Sequence, residues 1–205
     1  MSRRRRAVVV LVVLGALLVV SLLGTALDPE ALLARWFSDD AMKKPLEFYP
    51  VDEQLNIFED DEYASLDSRV FYTDPATGET YSIEPEELAL CEEAVKLFYD
   101  YFETVIRGDA FGYYRFFTDS YLMSDKAQLP GNFTMQMIYD IRIEPRPEYD
   151  EDGESAYLVE YKIHKNNGTF RDDVESDAAK AQLIYLCEEQ GQLLISRIVT
   201  YMSYR

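Results

Sequence analysis

Residues Ala156–His164 read AYLVEYKIH, a pattern typical of a β-strand with one buried face. Apolar side chains occupy the odd positions Tyr157, Val159, Tyr161 and Ile163. The polar side chains Glu160, Lys162 and His164 occupy even positions. Because successive side chains of a strand point to opposite faces, this alternation predicts an antiparallel strand whose second face meets solvent.

Three further stretches on either side of this one predict strands. In Met135–Ile143 the odd positions are again apolar. Ala179–Cys187 and Gln192–Tyr201 are predicted to form a second pair of strands, and Glu189-Gln190-Gly191 between them is typical of a tight turn. The four stretches together predict a four-stranded antiparallel sheet.

Two helices are predicted before the sheet. Pro85 with two following glutamates is typical of a helix start, and the helix is expected to run to Arg107. Its apolar residues recur every three or four positions: Leu88, Cys91, Val95, Phe98, Phe102 and Val105. Gly108 is expected to end this helix, and Asp109 to cap a second one over Ala110–Tyr121. Helices followed by strands indicate an α+β fold, with two helices packed on one face of a curved sheet over residues 85–205.

Part of this region resembles a known family. The stretch Tyr99–Tyr121, with Arg107-Gly108-Asp109-Ala110 followed by Phe116-Phe117-Thr118-Asp119-Ser120-Tyr121, resembles the opening of nuclear transport factor 2-like domains. Gly191–Val199 is similar to their last strand. The resemblance implies a cystatin-like α+β cone, dimerisation through the sheet, and functions that range from isomerase to scaffold. Fold alone does not choose among them.

The same resemblance directs attention to the inside of the cone, where enzymes of this kind place Asp, His or Tyr. The candidate pocket-lining residues here are Tyr139, Tyr157, Tyr161 and Tyr185. His164, the single histidine, is expected on the polar face, exposed and without a catalytic role, and Asp140 is expected to point outward. The sequence therefore predicts no catalytic residue and no cofactor.

Charge is distributed unevenly along the chain. Arg3–Arg6 are the only charged residues before Asp28, so residues 28–205 carry 16 basic residues against all 38 acidic ones. Between them, the 21 residues Ala7–Leu27 carry no charge, and 14 are Val or Leu. Such a helix is about 31 Å long, and its insertion into a bilayer is favourable by about 6 kcal/mol.

The arginines predict a cytoplasmic N-terminus in residues 1–6, a transmembrane helix in residues 7–27 and an extracytoplasmic remainder. A cleaved signal peptide is the alternative, with Gly24-Thr25-Ala26 as its cleavage site. The apolar run exceeds the usual length of a signal core, which favours an uncleaved anchor.

Residues 28–84 are predicted to link the membrane to the domain. Asp28-Pro29-Glu30 is typical of a helix start, and a juxtamembrane helix or an extension of the membrane helix follows to Met42. Residues 43–66, with the run Glu59-Asp60-Asp61-Glu62, are expected to form a solvated acidic tether. Arg69–Thr73 and Thr80–Ile83 flank a loop with Pro and Gly, which predicts a β-hairpin.

Composition excludes several classes of function. A formal net charge of −18 argues against nucleic acid as a partner. Two cysteines and one histidine exclude a zinc site built mainly from those residues, and no metal site is predicted. A Cys91–Cys187 disulfide and two free thiols are both compatible with the sequence. The acidic loops 149–154 and 172–177 are expected to be solvated turns.

These observations predict a membrane-anchored, extracytoplasmic binding or assembly domain without catalytic activity. Its expected partners are the lipid bilayer, through residues 7–27, and an envelope protein or a second copy of the chain. The layout resembles single-pass components of bacterial secretion and conjugation machines. The alternatives are a small-molecule isomerase, dehydratase or hydrolase of the same fold, and a secreted soluble binding protein released by signal cleavage.

Overall fold

The computed structural model describes residues 45–201. The predicted basic tail, membrane helix and juxtamembrane helix lie in residues 1–44, outside the described residues. Among the helices formed by residues 45–201, none combines the length and the apolar character that a bilayer crossing demands.

A six-stranded sheet organises this part of the chain. Its strands are β1 (Val70–Thr73), β2 (Thr80–Ile83), β3 (Met137–Pro145), β4 (Ser155–His164), β5 (Gln182–Glu189) and β6 (Gln192–Thr200). They lie in the order β2-β1-β3-β4-β5-β6, and every neighbouring pair is antiparallel except β1 and β3. The α+β class is therefore confirmed, while the expected number of four strands is wrong. The predicted hairpin supplies the other two, because a hairpin of four-residue strands is marginal alone and is stabilised by pairing with the edge of β3.

The helices are shorter than the sequence predicts. They are α1 (Asp61–Ala64), α2 (Glu93–Ile106), α3 (Ala110–Tyr113) and α4 (Asp119–Leu122). The first predicted helix begins at Glu93 instead of Pro85, since Cys91 and Glu92 have extended backbone conformations after a 3₁₀ turn. Four residues of the predicted apolar stripe are confirmed, because Val95, Phe98, Phe102 and Val105 are at most 1% exposed, while the other two lie before the helix.

The second predicted helix is broken by a contact with the sheet. Phe117 has an extended conformation and forms a parallel bridge with Ile195 of β6, and the Thr118 N–H donates to the Ile195 carbonyl at 3.0 Å. This long-range pairing replaces helical hydrogen bonds between α3 and α4. Local helix propensity is weak enough for a tertiary contact to override it.

The segment before the hairpin packs against the domain, so its assignment as a tether is wrong, although most of its acidic side chains are exposed as expected. Ile57 is fully buried, and the buried Tyr63 hydroxyl donates to the Ile138 carbonyl at 2.8 Å. Asp60 caps α1 and accepts a hydrogen bond from Lys165, at 2.9 Å. The compact unit that holds the sheet accordingly begins at Leu46, and not at the expected boundary of Pro85.

Candidate functional site

A cavity of about 620 Å³ opens at one end of the sheet, and its size suits a small-molecule ligand. Residues 128–131, which precede β3, form one wall, and the loop that connects β4 to β5 forms the other. Lys180, Gln182 and Thr200 contribute side chains from β5 and β6 or from the residues just before them. The loop residues that line it are Gln128, Leu129, Pro130, Gly131, Gly168, Thr169, Phe170, Arg171, Asp172 and Asp173.

The loop between β4 and β5 is held by its own side chains. The fully buried Asn166 carboxamide donates to the Arg171 and Val174 carbonyls, both at 2.9 Å. Asn166 also accepts from the Gly168 N–H at 3.0 Å, an Asx turn of the kind that competes with regular structure. Phe170 packs against the core ring of Tyr113. These contacts fix the backbone that carries Arg171.

Arg171 forms the back of the cavity and is only 8% exposed. Its Nη1 donates to the Tyr161 hydroxyl at 2.9 Å, and its Nε and Nη2 both donate to the Asp173 carboxylate. Lys180 Nζ donates to the same carboxylate at 2.7 Å. Gln182 Oε1 accepts from the Tyr161 hydroxyl at 3.3 Å. Two cations therefore share one carboxylate at this wall.

Asp173, Tyr161 and Arg171 each keep one protonation state around neutral pH. Burial alone would raise the pKa of Asp173, but hydrogen bonds from Arg171 and Lys180 outweigh it and lower the pKa to about 2. Burial raises the pKa of the Tyr161 hydroxyl. Burial alone would lower the pKa of Arg171, but its interactions with Tyr161 and Asp173 outweigh burial and raise the pKa overall. A general acid or base needs a pKa near the working pH, so these three groups are suited to binding and poorly suited to proton transfer.

The four candidate tyrosines divide between the two faces of the sheet. Tyr157 and Tyr161 face the helices as predicted, with ring centroids 5.2 Å from Phe98 and Phe102 of α2, respectively. Tyr139 and Tyr185 lie on the opposite face, so their predicted inward direction is wrong. None of the four tyrosines lines the cavity at Arg171. Tyr161 only accepts a hydrogen bond from Arg171, which does line it.

The direction of Tyr139 is changed by a β-bulge. Asp140 has a left-handed backbone, with φ of 52°, and the register between β3 and β4 shifts between Tyr139 and Arg142. An extra residue in one strand reverses the alternation on one side of the bulge. Ile138 is therefore fully buried against the helices, while Tyr139 pairs with Lys162 on the other face.

The direction of Tyr185 could not be predicted from alternation, because β5 is apolar on both faces. Ile184 and Leu186 belong to the main core. Tyr185 belongs to a smaller cluster with Ala156 and Leu183 on the other face, where the Arg197 guanidinium lies 3.8 Å from its ring centroid. A strand buried on both faces reads as a continuous apolar run.

His164 belongs to a separate polar cluster at the outer face. Its Nδ1 lies 2.9 Å from Asp177 Oδ1, an oxygen that also accepts from the Tyr139 hydroxyl at 3.0 Å. Its Nε2 lies 3.5 Å from a Glu62 oxygen. The side chain is 21% exposed, so the prediction of an exposed histidine is wrong.

The space beside the contact between His164 and Asp177 is too small for most substrates. The adjoining cavity measures about 90 Å³, room for about three waters and well below the usual range for ligand sites. We interpret the cluster as an attachment between α1 and the end of β4. The absence of a catalytic role for His164 stays a prediction.

The remaining candidates from the sequence are the two cysteines, for a disulfide, and the acidic loops, for a metal site. Both thiols are free: Cys91 precedes α2, and Cys187 lies in β5 paired with Leu194. Within residues 45–201, no group of three or more His, Cys, Asp or Glu side chains is arranged to hold a metal ion. The expectation of a solvated turn over residues 172–177 is wrong at Asp173 and at the buried Val174.

Sequence reasoning missed the residues that form the cavity, namely Arg171, Lys180 and Gln182. The available signal was Phe170 and Val174, the two large apolar residues of this loop. Such residues indicate that a loop packs against the core. They do not indicate which polar side chains the packed loop turns inward.

Comparisons with protein-family models, curated proteins and solved structures found no match to this chain. The resemblance to nuclear transport factor 2-like domains therefore stays a prediction.

Proposed function

We propose that this protein is a membrane-anchored, extracytoplasmic domain that binds a small ligand in the cavity at Arg171 and does not convert it. The observation that carries the proposal is a cavity of about 620 Å³ whose wall presents Arg171 and Lys180, both held by hydrogen bonds to Asp173. A site of this kind orients a ligand by hydrogen bonds and charge. The 21-residue apolar run after Arg3–Arg6 supports the membrane anchor.

The anchor and its orientation are tested by fractionation of cells that express the full chain with a C-terminal epitope. We expect the intact polypeptide in the membrane fraction, with its C-terminal domain degraded by protease added from outside. The positive charge before the apolar run resists translocation, which is the physical reason for this orientation. N-terminal sequencing that found a start near Ala26 would favour the secreted alternative, and intact chain in the cytosol would contradict both.

The cavity is tested by filling it. Gly131 lies in its wall, and a Cβ added there would have no neighbour within 4 Å, so Gly131→Trp is expected to fold and to occupy the cavity. Small molecules that raise the melting temperature of the full chain in detergent should bind this variant at least tenfold more weakly. The measurement is isothermal titration calorimetry with each such molecule.

The matched control is Asn132→Trp, which adds the same ring at the next, exposed residue outside the lining. Equal binding by the two variants would place the ligand elsewhere and contradict the proposal. Consumption of a bound molecule by the wild-type chain would overturn the non-catalytic part in favour of the enzyme alternative.

A further inference from the structure

Two cationic side chains line the cavity in a chain that is strongly acidic as a whole. Arg171 and Lys180 contact a single carboxylate, that of Asp173. Asp172 also lines the cavity, and no ion pair joins it to either cation among residues 45–201. The lining therefore holds two cations and two carboxylates, and the carboxylate of Asp173 bonds both cations.

This wall also has more hydrogen-bond donors than its protein partners use. Arginine has five N–H groups, and the contacts of Arg171 with Tyr161 and Asp173 involve three of them. Both side-chain contacts of Lys180 go to Asp173, which leaves one of its three N–H groups. Gln182 Nε2 has no hydrogen-bond partner among residues 45–201 while its Oε1 is engaged by Tyr161. The unused groups are donors, so the matching ligand group is rich in acceptors.

The donors are preorganised. Arg171 is fixed on both sides, by Tyr161 and by Asp173, and its loop is tied by the buried Asn166. Holding a guanidinium in place before binding reduces the entropy that is lost when a ligand arrives. Charge-assisted hydrogen bonds to carboxylate or phosphate are about twice as strong as neutral ones.

We propose that the cavity recognises an oxyanion, the carboxylate or phosphate group of a small molecule, through Lys180, Arg171 and Gln182. This inference rests on the proposed function, because it names the class of ligand for the same cavity. The ligand oxygens accept hydrogen bonds from these side chains, and the Asp173 carboxylate stays in place to hold both cations.

Isothermal titration of the full chain in detergent with succinate, inorganic phosphate and putrescine tests the proposal. We expect saturable binding of at least one of the two oxyanions and none of the diamine. Lys180→Gln should weaken oxyanion binding about tenfold, since one charge-assisted hydrogen bond is lost.

Lys96→Gln is the matched control, since Lys96 is similarly exposed and also bonds a single carboxylate, that of Glu93. Its affinity for the oxyanion should equal that of the wild-type chain. Binding of putrescine alone, no binding of either oxyanion at millimolar concentration, or equal affinities in the two lysine variants would overturn the inference.

The Gly131→Trp variant separates this failure from failure of the proposed function. If Gly131→Trp weakens binding and Lys180→Gln does not, the cavity binds a ligand that is not recognised through its charge. If Gly131→Trp leaves every ligand bound, the cavity itself is not the binding site.

Discussion

Replacing the shared carboxylate, in the variant Asp173→Asn, is expected to destabilise the domain by about 3 kcal/mol, because it leaves a buried guanidinium without its counter-charge. Arg171 has 9% of its side chain exposed and cannot turn to solvent without breaking its hydrogen bond to Tyr161. Urea unfolding of the full chain in detergent, followed by far-ultraviolet circular dichroism, measures the loss.

Asp140→Asn is a closely matched control. Asp140 also bonds two cations, Arg142 at 2.9 Å and Lys162 at 3.0 Å, and has a side-chain exposure similar to that of Asp173. The difference is the burial of the cation, because 63% of the Arg142 side chain is exposed. We therefore expect Asp140→Asn to cost less than about 1 kcal/mol. Equal costs for the two variants would show that burial of Arg171 does not contribute.

The pH dependence of stability gives a second measurement on Asp173. Its pKa in the folded protein is lowered to about 2, from about 4 in an unfolded chain. A carboxyl group with a depressed folded-state pKa contributes stability above its unfolded pKa and loses that contribution as the pH falls. The wild-type chain should thus lose more stability than Asp173→Asn between pH 4 and pH 2, and parallel profiles over that range would contradict the ion pair.

The variant Gly108→Ala is expected to destabilise the domain by about 3 kcal/mol, through backbone strain together with a steric clash. Gly108 has φ of +67°, and an added Cβ would lie 2.5 Å from the Met135 nitrogen. The Met135 backbone cannot easily move away, since the next residue, Gln136, donates its N–H to the Ile106 carbonyl at 3.3 Å. Urea unfolding measures this change in the same way.

Gly78→Ala separates the two contributions. Gly78 has a similar φ, +73°, and no atom within 4 Å of an added Cβ. Gly78→Ala should lower the free energy of unfolding by about 1 kcal/mol, the penalty for placing an alanine in the left-handed conformation without a clash. If Gly78→Ala and Gly108→Ala cost the same, the close approach of α2 to the chain before β3 contributes nothing.

Gly108 also illustrates what sequence reasoning predicts well. The glycine was expected to end a helix and Asp109 to cap the next, and both predictions are confirmed. The Gly108 N–H donates to the Val105 carbonyl and the Asp109 N–H to that of Thr104, the two bonds of a Schellman motif. The Asp109 side chain accepts from the Gly112 N–H at 2.8 Å. Capping signals can be found in the sequence because each of these hydrogen bonds joins residues only a few positions apart.

The predictions that failed depended on long-range contacts. The acidic run before the hairpin is mostly exposed as predicted, but it is not a tether, because Asp60 and Glu62 form ion pairs with Lys165, which follows β4. The second helix is interrupted by Ile195, which lies some 80 residues away in the sequence. Charge and propensity patterns do not record which distant strand is available as a partner.

Alternation, apolar periodicity and capping residues in the sequence by themselves determined the α+β class, the stripe of α2 and the turn between β5 and β6. Only the tertiary structure decided that the hairpin joins the sheet, that Tyr139 turns away from the helices, and that Arg171, Lys180 and Asp173 meet at one cavity. The physical reason is that periodicity reports burial of a face, whereas a bulge or a buried ion pair depends on which segments pack together. The candidate site at Arg171 is built from such long-range contacts, so the sequence alone did not predict it.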